Sequence, residues 1–157
     1  MKRNVVQVVD AARRRGFELV PRSFPQGTST AEDAARAIGV SVGQIVKSLL
    51  FAVDDRPVLA LVSGANRLDE TRLAEVVGGG TVRRLDADAV RDVTGFPVGG
   101  VPPFGHQTRL PAFVDRDLLA YDTVWAAAGT PHDNFSIDPK TLVVLTDATV
   151  CELAQSV

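Results

Sequence analysis

Apolar residues recur at helical spacing near the start of the chain. Val5, Val6, Val8, Val9 and Ala12 form one stripe and predict a helix over 3–15 that Gly16 stops. Phe17 to Val20 alternates like a short strand before Pro21 and Pro25-Gln-Gly27 mark a loop. Ser29-Thr-Ala-Glu32 reads as a capping box for a short helix ending at Gly39. Residues 44–53 and 58–62 are apolar almost throughout. With Asp54-Asp55-Arg56-Pro57 between them, they predict a strand hairpin with a longer loop. Asp69 and Asp86 sit where they cap helices over 70–77 and 87–94, closed by Gly78-Gly79-Gly80 and Gly95, with a strand over 82–85 between. Residues 95–111 carry Pro97, Pro102, Pro103 and Pro111 with several glycines, and read as one long ordered loop. Strands are expected over 112–114, 123–128 and 135–137, and a helix over 139–146 from Pro139. The segment ATVCELAQ reads as a strand or a helix. Helices and strands mix without a βαβ rhythm, so the fold class expected is α/β (α+β) around a mixed, curved sheet.

The pattern is broken at QIVKSLLF, residues 44–51. In a strand, Ile45, Lys47, Leu49 and Phe51 share one face, and Val46, Ser48, Leu50 and Ala52 the other. Both faces are mainly apolar, so the strand is expected to be central and covered on both sides. An unpaired ammonium there costs several kcal/mol even after relaxation. Two arrangements avoid the cost: Lys47 packs its stem and pairs with a carboxylate, or its head opens into a polar cavity. Of 17 basic residues only Lys2, Lys47 and Lys140 are lysines. A compact ammonium suits a small cavity better than a guanidinium fork. Ser48 points to the opposite face and is a poor nucleophile candidate.

The second irregular stretch is TGFPVGGVPPFGH, residues 94–106. Gly99 and Gly100 allow close backbone approach to a ligand, and the Pro102-Pro103 pair stiffens the chain just after them. The loop is either a cradle of N–H donors for a carbonyl oxygen or a plain surface turn. No Gly-Lys-Ser/Thr comes after it, so it is not a phosphate loop, and Gly78-Gly79-Gly80 is a helix stop rather than a dinucleotide fingerprint.

Composition narrows the class. A chain of 157 residues, 45% apolar and 23% charged, suits a single domain over 1–157. A net charge of -2 excludes whole-surface attraction to DNA or anionic membrane, so any RNA contact is local. The lone Cys151 rules out an internal disulfide and is expected to behave as a small core residue in a reducing cytoplasm. The N-terminal segment lacks the pattern of a signal peptide, and no apolar run reaches the roughly 20 residues of a membrane span. His106 and His132 are loop residues, a thin basis for a metal site, so no metal and no cofactor are expected. Arg13-Arg14-Arg15 suits a helix C-terminus, while Arg83-Arg84 is a candidate contact for RNA phosphates. Asp115 either caps residues 116–119 or holds the loop.

Taken in order, TAEDAARAIGV (30–40), QIVKSLLF (44–51), LVSGANRLD (61–69), TGFPVGGVPPFG (94–105), LPAFVD (110–115) and AAAGTPH (126–132) resemble the YbaK/prolyl-tRNA editing domain family over about residues 28–155. The resemblance implies a mixed, curved, barrel-like sheet with flanking helices. It also implies a trans-acting deacylase that cuts the ester of a mischarged tRNA, tRNA for proline among them. Lys47 matches the family's functional lysine, and Gly99, Gly100 and Pro103 its loop around the scissile carbonyl. Val101, Ser48 and His132 are implied as substrate-binding. The implied partners are the aminoacylated tRNA acceptor end and prolyl-tRNA synthetase. Pro102 departs from the pattern: many members carry Ser there, which bears on substrate choice. Two other readings stand beside this one, a non-catalytic module binding the acceptor end or a synthetase, and a hydrolase of other small aminoacyl esters.

Overall fold

The computed structural model describes residues 2–156. Helix α1 (Arg3–Arg13) buries Val5, Val8, Val9 and Ala12, the stripe expected from the sequence. Arg13 pairs with Glu18 and Arg15 with Asp147, so part of this basic run is engaged within the protein. Phe17 to Val20 is not a strand. Leu19 is buried and Phe17 packs on the same core, but among the described residues no strand pairs with them. The strand β1 is instead Arg22–Ser23.

Helix α2 (Ala31–Ile38) is capped one residue later than expected: Thr30 Oγ1 accepts from Asp33 N at 3.0 Å. Ser29, the expected cap, faces Gly99 across the structure. Strands β2 (Val46–Val53) and β3 (Arg56–Ser63) pair antiparallel with Val53 opposite Arg56. The connection is therefore a two-residue turn, not a longer loop. Asp54 and Asp55 both take positive φ, 48° and 66°, as a turn matched to strand twist requires. Pro57 lies inside β3. Leu59 N points to β5 and donates to Pro111 O, so Pro57, two residues earlier, turns its missing N–H to the same side beyond the end of β5.

Helices α3 (Glu70–Val77) and α4 (Ala87–Thr94) are capped by Asp69 and Asp86 and end at left-handed Gly78 and Gly95. Strand β4 (Val82–Arg84) lies between them in sequence. After the long loop come β5 (Ala112–Asp115), β6 (Val124–Thr130), β7 (Asp133–Ile137), α5 (Pro139–Thr146, capped by Asp138) and β8 (Thr149–Cys151). Five strands pair in the order β4-β2-β3-β5-β8, antiparallel from β4 to β3 and parallel from β3 to β8. A second, antiparallel sheet runs β1-β7-β6. The mixed, helix-flanked architecture is as expected, but the strands pair as two sheets, linked among the described residues by a bridge between Ile45 and Trp125.

Apolar clusters cover both faces of β2 and β3, with Val46, Leu50, Leu59 and Leu61 in one and Phe51, Val58, Ala60 and Val62 in the other. Asp115 fastens the parallel part. It is 1% exposed, accepts from Leu153 N at 2.7 Å, and caps the following 3-10 turn through Asp117 N at 3.3 Å. Asp115→Ala strands the buried Leu153 donor and is expected to lower the unfolding free energy by about 2–3 kcal/mol. Urea denaturation with the slope unchanged would read this directly.

Candidate active site

The outer edge of β2 is incompletely covered. β4 pairs only with residues 51–53, and β6 forms its bridge at Ile45, just before β2 begins. Between them a cavity of about 530 Å³ opens beside residues 46–50, bounded at one end by a bond from Leu85 N to Leu50 O. Because it opens at a strand edge, residues from both faces of β2 reach it. Lys47, Ser48, Glu32, Arg84, Gly99 and Val101 all line it. Its size fits a small ligand group rather than a macromolecule.

Lys47 pairs with no carboxylate among the described residues. Its ammonium donates to the Asn66 main-chain oxygen, in the LVSGANRLD segment that follows β3. Asn66 is itself held by Asp117 at 2.8 Å. An ammonium has three donors, so this anchor aims the group and leaves capacity for a ligand. Burial lowers the Lys47 pKa from its ordinary value; Glu32 opposes the shift, and Arg84 and Arg67 add to it. A cation partly stripped of water and facing other cations is poised to receive negative charge.

Residues Pro97 to Gly100 form a tight turn, with Gly100 N donating to Pro97 O at 3.0 Å and Gly99 at φ 89°. That is a type II turn, whose third position needs glycine. The Gly100 amide is thus already used. The amides of Gly99 and Val101 donate to no protein acceptor among the described residues. Gly100 is buried against the Thr130 main chain and does not line the cavity. Pro103 lies on a different hollow of about 370 Å³ with His106. His106 is half-buried rather than solvent-facing: its Nε2–H donates to Pro102 O at 2.6 Å, and burial lowers its pKa. His132 is exposed, with its ring 3.2 Å from the Phe24 carbonyl and outside the cavity.

The sequence profile of the family described as "Aminoacyl-tRNA editing domain" matches residues 25–145. The chain belongs to that family. Within it, proline–tRNA ligase of Maridesulfovibrio salexigens is 36% identical over 107 residues, 68% of this chain and only 18% of the ligase. EbsC of Enterococcus faecalis, proposed to be a Cys-tRNA(Pro)/Cys-tRNA(Cys) deacylase, is 26% identical over 79% of this chain and 76% of its own length. A crystal structure described as that of a proposed trans-editing enzyme for prolyl tRNA synthetase superposes with a TM-score of 0.93 at 46% identity, covering 99% of both chains.

The editing-domain cavity thus gathers five of the residues singled out in the sequence, Lys47, Ser48, Arg84, Gly99 and Val101, and leaves Gly100, Pro103 and His132 outside its lining. It also contains residues that sequence reasoning missed. Glu32 sits in the first turn of α2 inside the TAEDAARAIGV motif, but only the tertiary fold turns it toward Lys47. Asn134 lines the wall, donating to Thr28 Oγ1 at 2.6 Å. Arg83 pairs with Asp55, whereas its neighbour Arg84 lines the cavity and enters no ion pair among the described residues. Among those residues no three His, Cys, Asp or Glu side chains converge as a metal site, and no helix is long and apolar enough to cross a membrane. Burial raises the Cys151 thiol to about 11, which keeps it protonated at neutral pH.

Proposed function

We propose that this chain is a trans-acting deacylase that hydrolyses the ester of a mischarged tRNA, with tRNA for proline as the substrate class. It acts as one editing domain in the cytoplasm, downstream of the prolyl-tRNA synthetase that makes the error. The observation that carries the reading is Lys47: an anchored, partly desolvated ammonium with no carboxylate partner, lining a ligand-sized cavity together with the Gly99 turn. The family membership and the 46% identity to the proposed trans-editing enzyme support it.

The chemistry asks little of the protein, because an aminoacyl ester is already labile. Water attacks the carbonyl carbon and the carbonyl oxygen becomes negative. Lys47 stabilises that oxygen by charge, and the Gly99 and Val101 amides supply hydrogen-bond donors. When the intermediate collapses, the bond to the ribose oxygen breaks. The proton lost by the water ends on that oxygen, releasing free amino acid and intact tRNA. Binding aligns the ester with the attacking water. No Ser-His-Asp arrangement is required, in keeping with a site where the Ser48 hydroxyl bonds to no base among the described residues.

A panel of aminoacyl-tRNAs incubated with the folded protein tests the proposal. Release of amino acid from at least one mischarged tRNA above the spontaneous rate supports it. Binding without release favours a recognition module, and turnover of tRNA-free esters alone favours a general esterase. Arg84 offers a separate check on the RNA side. As an unpaired cation at the cavity it is assigned to an acceptor-strand phosphate. Arg84→Ala is expected to raise KM about three- to tenfold at low salt and to reduce the slope of log affinity against log salt by about 0.7, the value for one phosphate on a single strand.

A further inference from the structure

A two-residue turn makes Val53 and Arg56 a hydrogen-bonded pair, so Phe51, Leu49 and Lys47 also turn their main-chain groups toward β3. Ala52, Leu50 and Ser48 turn theirs to the other side. Leu50 displays this direction, its carbonyl accepting from Leu85 N at 3.1 Å, and Ala52 lies within the pairing with β4. No strand pairs with Ser48 on that side among the described residues. Its N–H and C=O therefore face the open edge, where the cavity lies. The Ser48 hydroxyl oxygen is buried and, among the described residues, is a side-chain atom without a hydrogen-bond partner. Buried polar groups are normally paired, so three unpaired groups on one residue at a cavity mark a place where a ligand supplies the partners.

The same wall holds one carboxylate, Glu32, against two cations, Lys47 and Arg84. Glu32 enters no ion pair among the described residues, since the Lys47 ammonium is bonded to the Asn66 carbonyl instead. We infer that the open Ser48 edge and Glu32 form a receptor for the free α-ammonium group of the aminoacyl ester. The Ser48 carbonyl and hydroxyl accept from the ammonium, Glu32 supplies the counter-charge, and the Ser48 N–H remains for an oxygen of the ester. The inference rests on the deacylase reading and adds a selectivity to it: the site takes aminoacyl esters and rejects N-acylated ones. Acylation removes the positive charge and all but one of the nitrogen's donors, leaving built-in acceptors unpaired, a mismatch that sites of this kind discriminate against strongly.

The test compares one mischarged tRNA with its N-acetylaminoacyl form. Wild-type kcat/KM is expected to fall by about 10²-fold or more on acetylation. Glu32→Gln is expected to lower kcat/KM about tenfold more for the free-amine substrate than for the N-acetyl one, so the ratio between the two shrinks. Equal wild-type rates on both substrates would overturn the receptor and leave the deacylase reading standing. An unchanged ratio in Glu32→Gln, with both rates falling together or neither moving, would also overturn it. Hydrolysis of neither substrate by wild type would overturn the deacylase reading and the receptor with it.

Discussion

Lys47→Met is expected to remove ester hydrolysis while the protein stays folded. The ammonium is the cation anchored in the cavity wall by the Asn66 carbonyl, and methionine keeps the length of the stem while deleting the charge. Loss of one preorganised stabiliser of a developing oxyanion costs about 10²–10³ in kcat. Stability should move the other way. The folded-state pKa of Lys47 lies below its unfolded value, chiefly through burial. Between those two values the unfolded chain binds more protons, so stability rises with pH across that window. Below it, the penalty of the buried charge is fully present. At neutral pH the Met variant should therefore be at least as stable as wild type, and its advantage should fade as pH climbs toward the ordinary lysine range. Single-turnover deacylation and thermal melts at neutral and alkaline pH check both halves. Retained activity, or a Met variant less stable at neutral pH, contradicts this account of the residue.

Gly100→Ala should be the most damaging small substitution in the loop. A methyl group at Gly100 would lie 2.7, 2.8 and 2.9 Å from the carbonyl carbon, Cα and N of Thr130. These are main-chain atoms of β6 and cannot rotate away. Overpacking of this kind costs about 1–3 kcal/mol, and backbone opposite backbone belongs at the upper end. The turn from Pro97 to Gly100 also carries Gly99, and Val101 comes next at the cavity wall, so relief of the clash moves both amides. A lower melting temperature together with slower deacylation is the expected result. Wild-type values for both would show that the close approach to Thr130 is not needed.

Much of the fold is readable from local chemistry. Asp69 and Asp86 cap α3 and α4 at the predicted places, Gly39, Gly78 and Gly95 end α2, α3 and α4, and Pro139 opens α5, because each of these residues acts within one turn of its own position. The apolar run around Lys47 correctly implies a strand covered on both faces. Misreadings arise where two local solutions compete or where a partner decides. Ser29 and Thr30 are both good caps, and the choice falls to Thr30 while Ser29 lies against Gly99. Asp54-Asp55 closes the hairpin in two residues because both adopt positive φ, which hydropathy does not report, and Pro57 looks like turn because its edge position is invisible in the sequence. Phe17 to Val20 alternates but lacks a partner strand. The cavity itself depends on a missing partner: β4 stops short and β6 pairs no further than Ile45, so the edge at Ser48 stays open. Nothing within QIVKSLLF encodes that gap, and nothing in TAEDAARAIGV announces that Glu32 faces it.

The central claim is that the cavity beside Lys47 receives the aminoacyl ester. A crystal structure with a non-hydrolysable analogue, 3′-aminoacylamino-3′-deoxyadenosine, tests it most directly. The account predicts the aminoacyl group at the open edge of β2, with its carbonyl oxygen within hydrogen-bonding distance of Lys47 Nζ. An analogue bound elsewhere, or one in this cavity with its carbonyl turned away from Lys47, would contradict it.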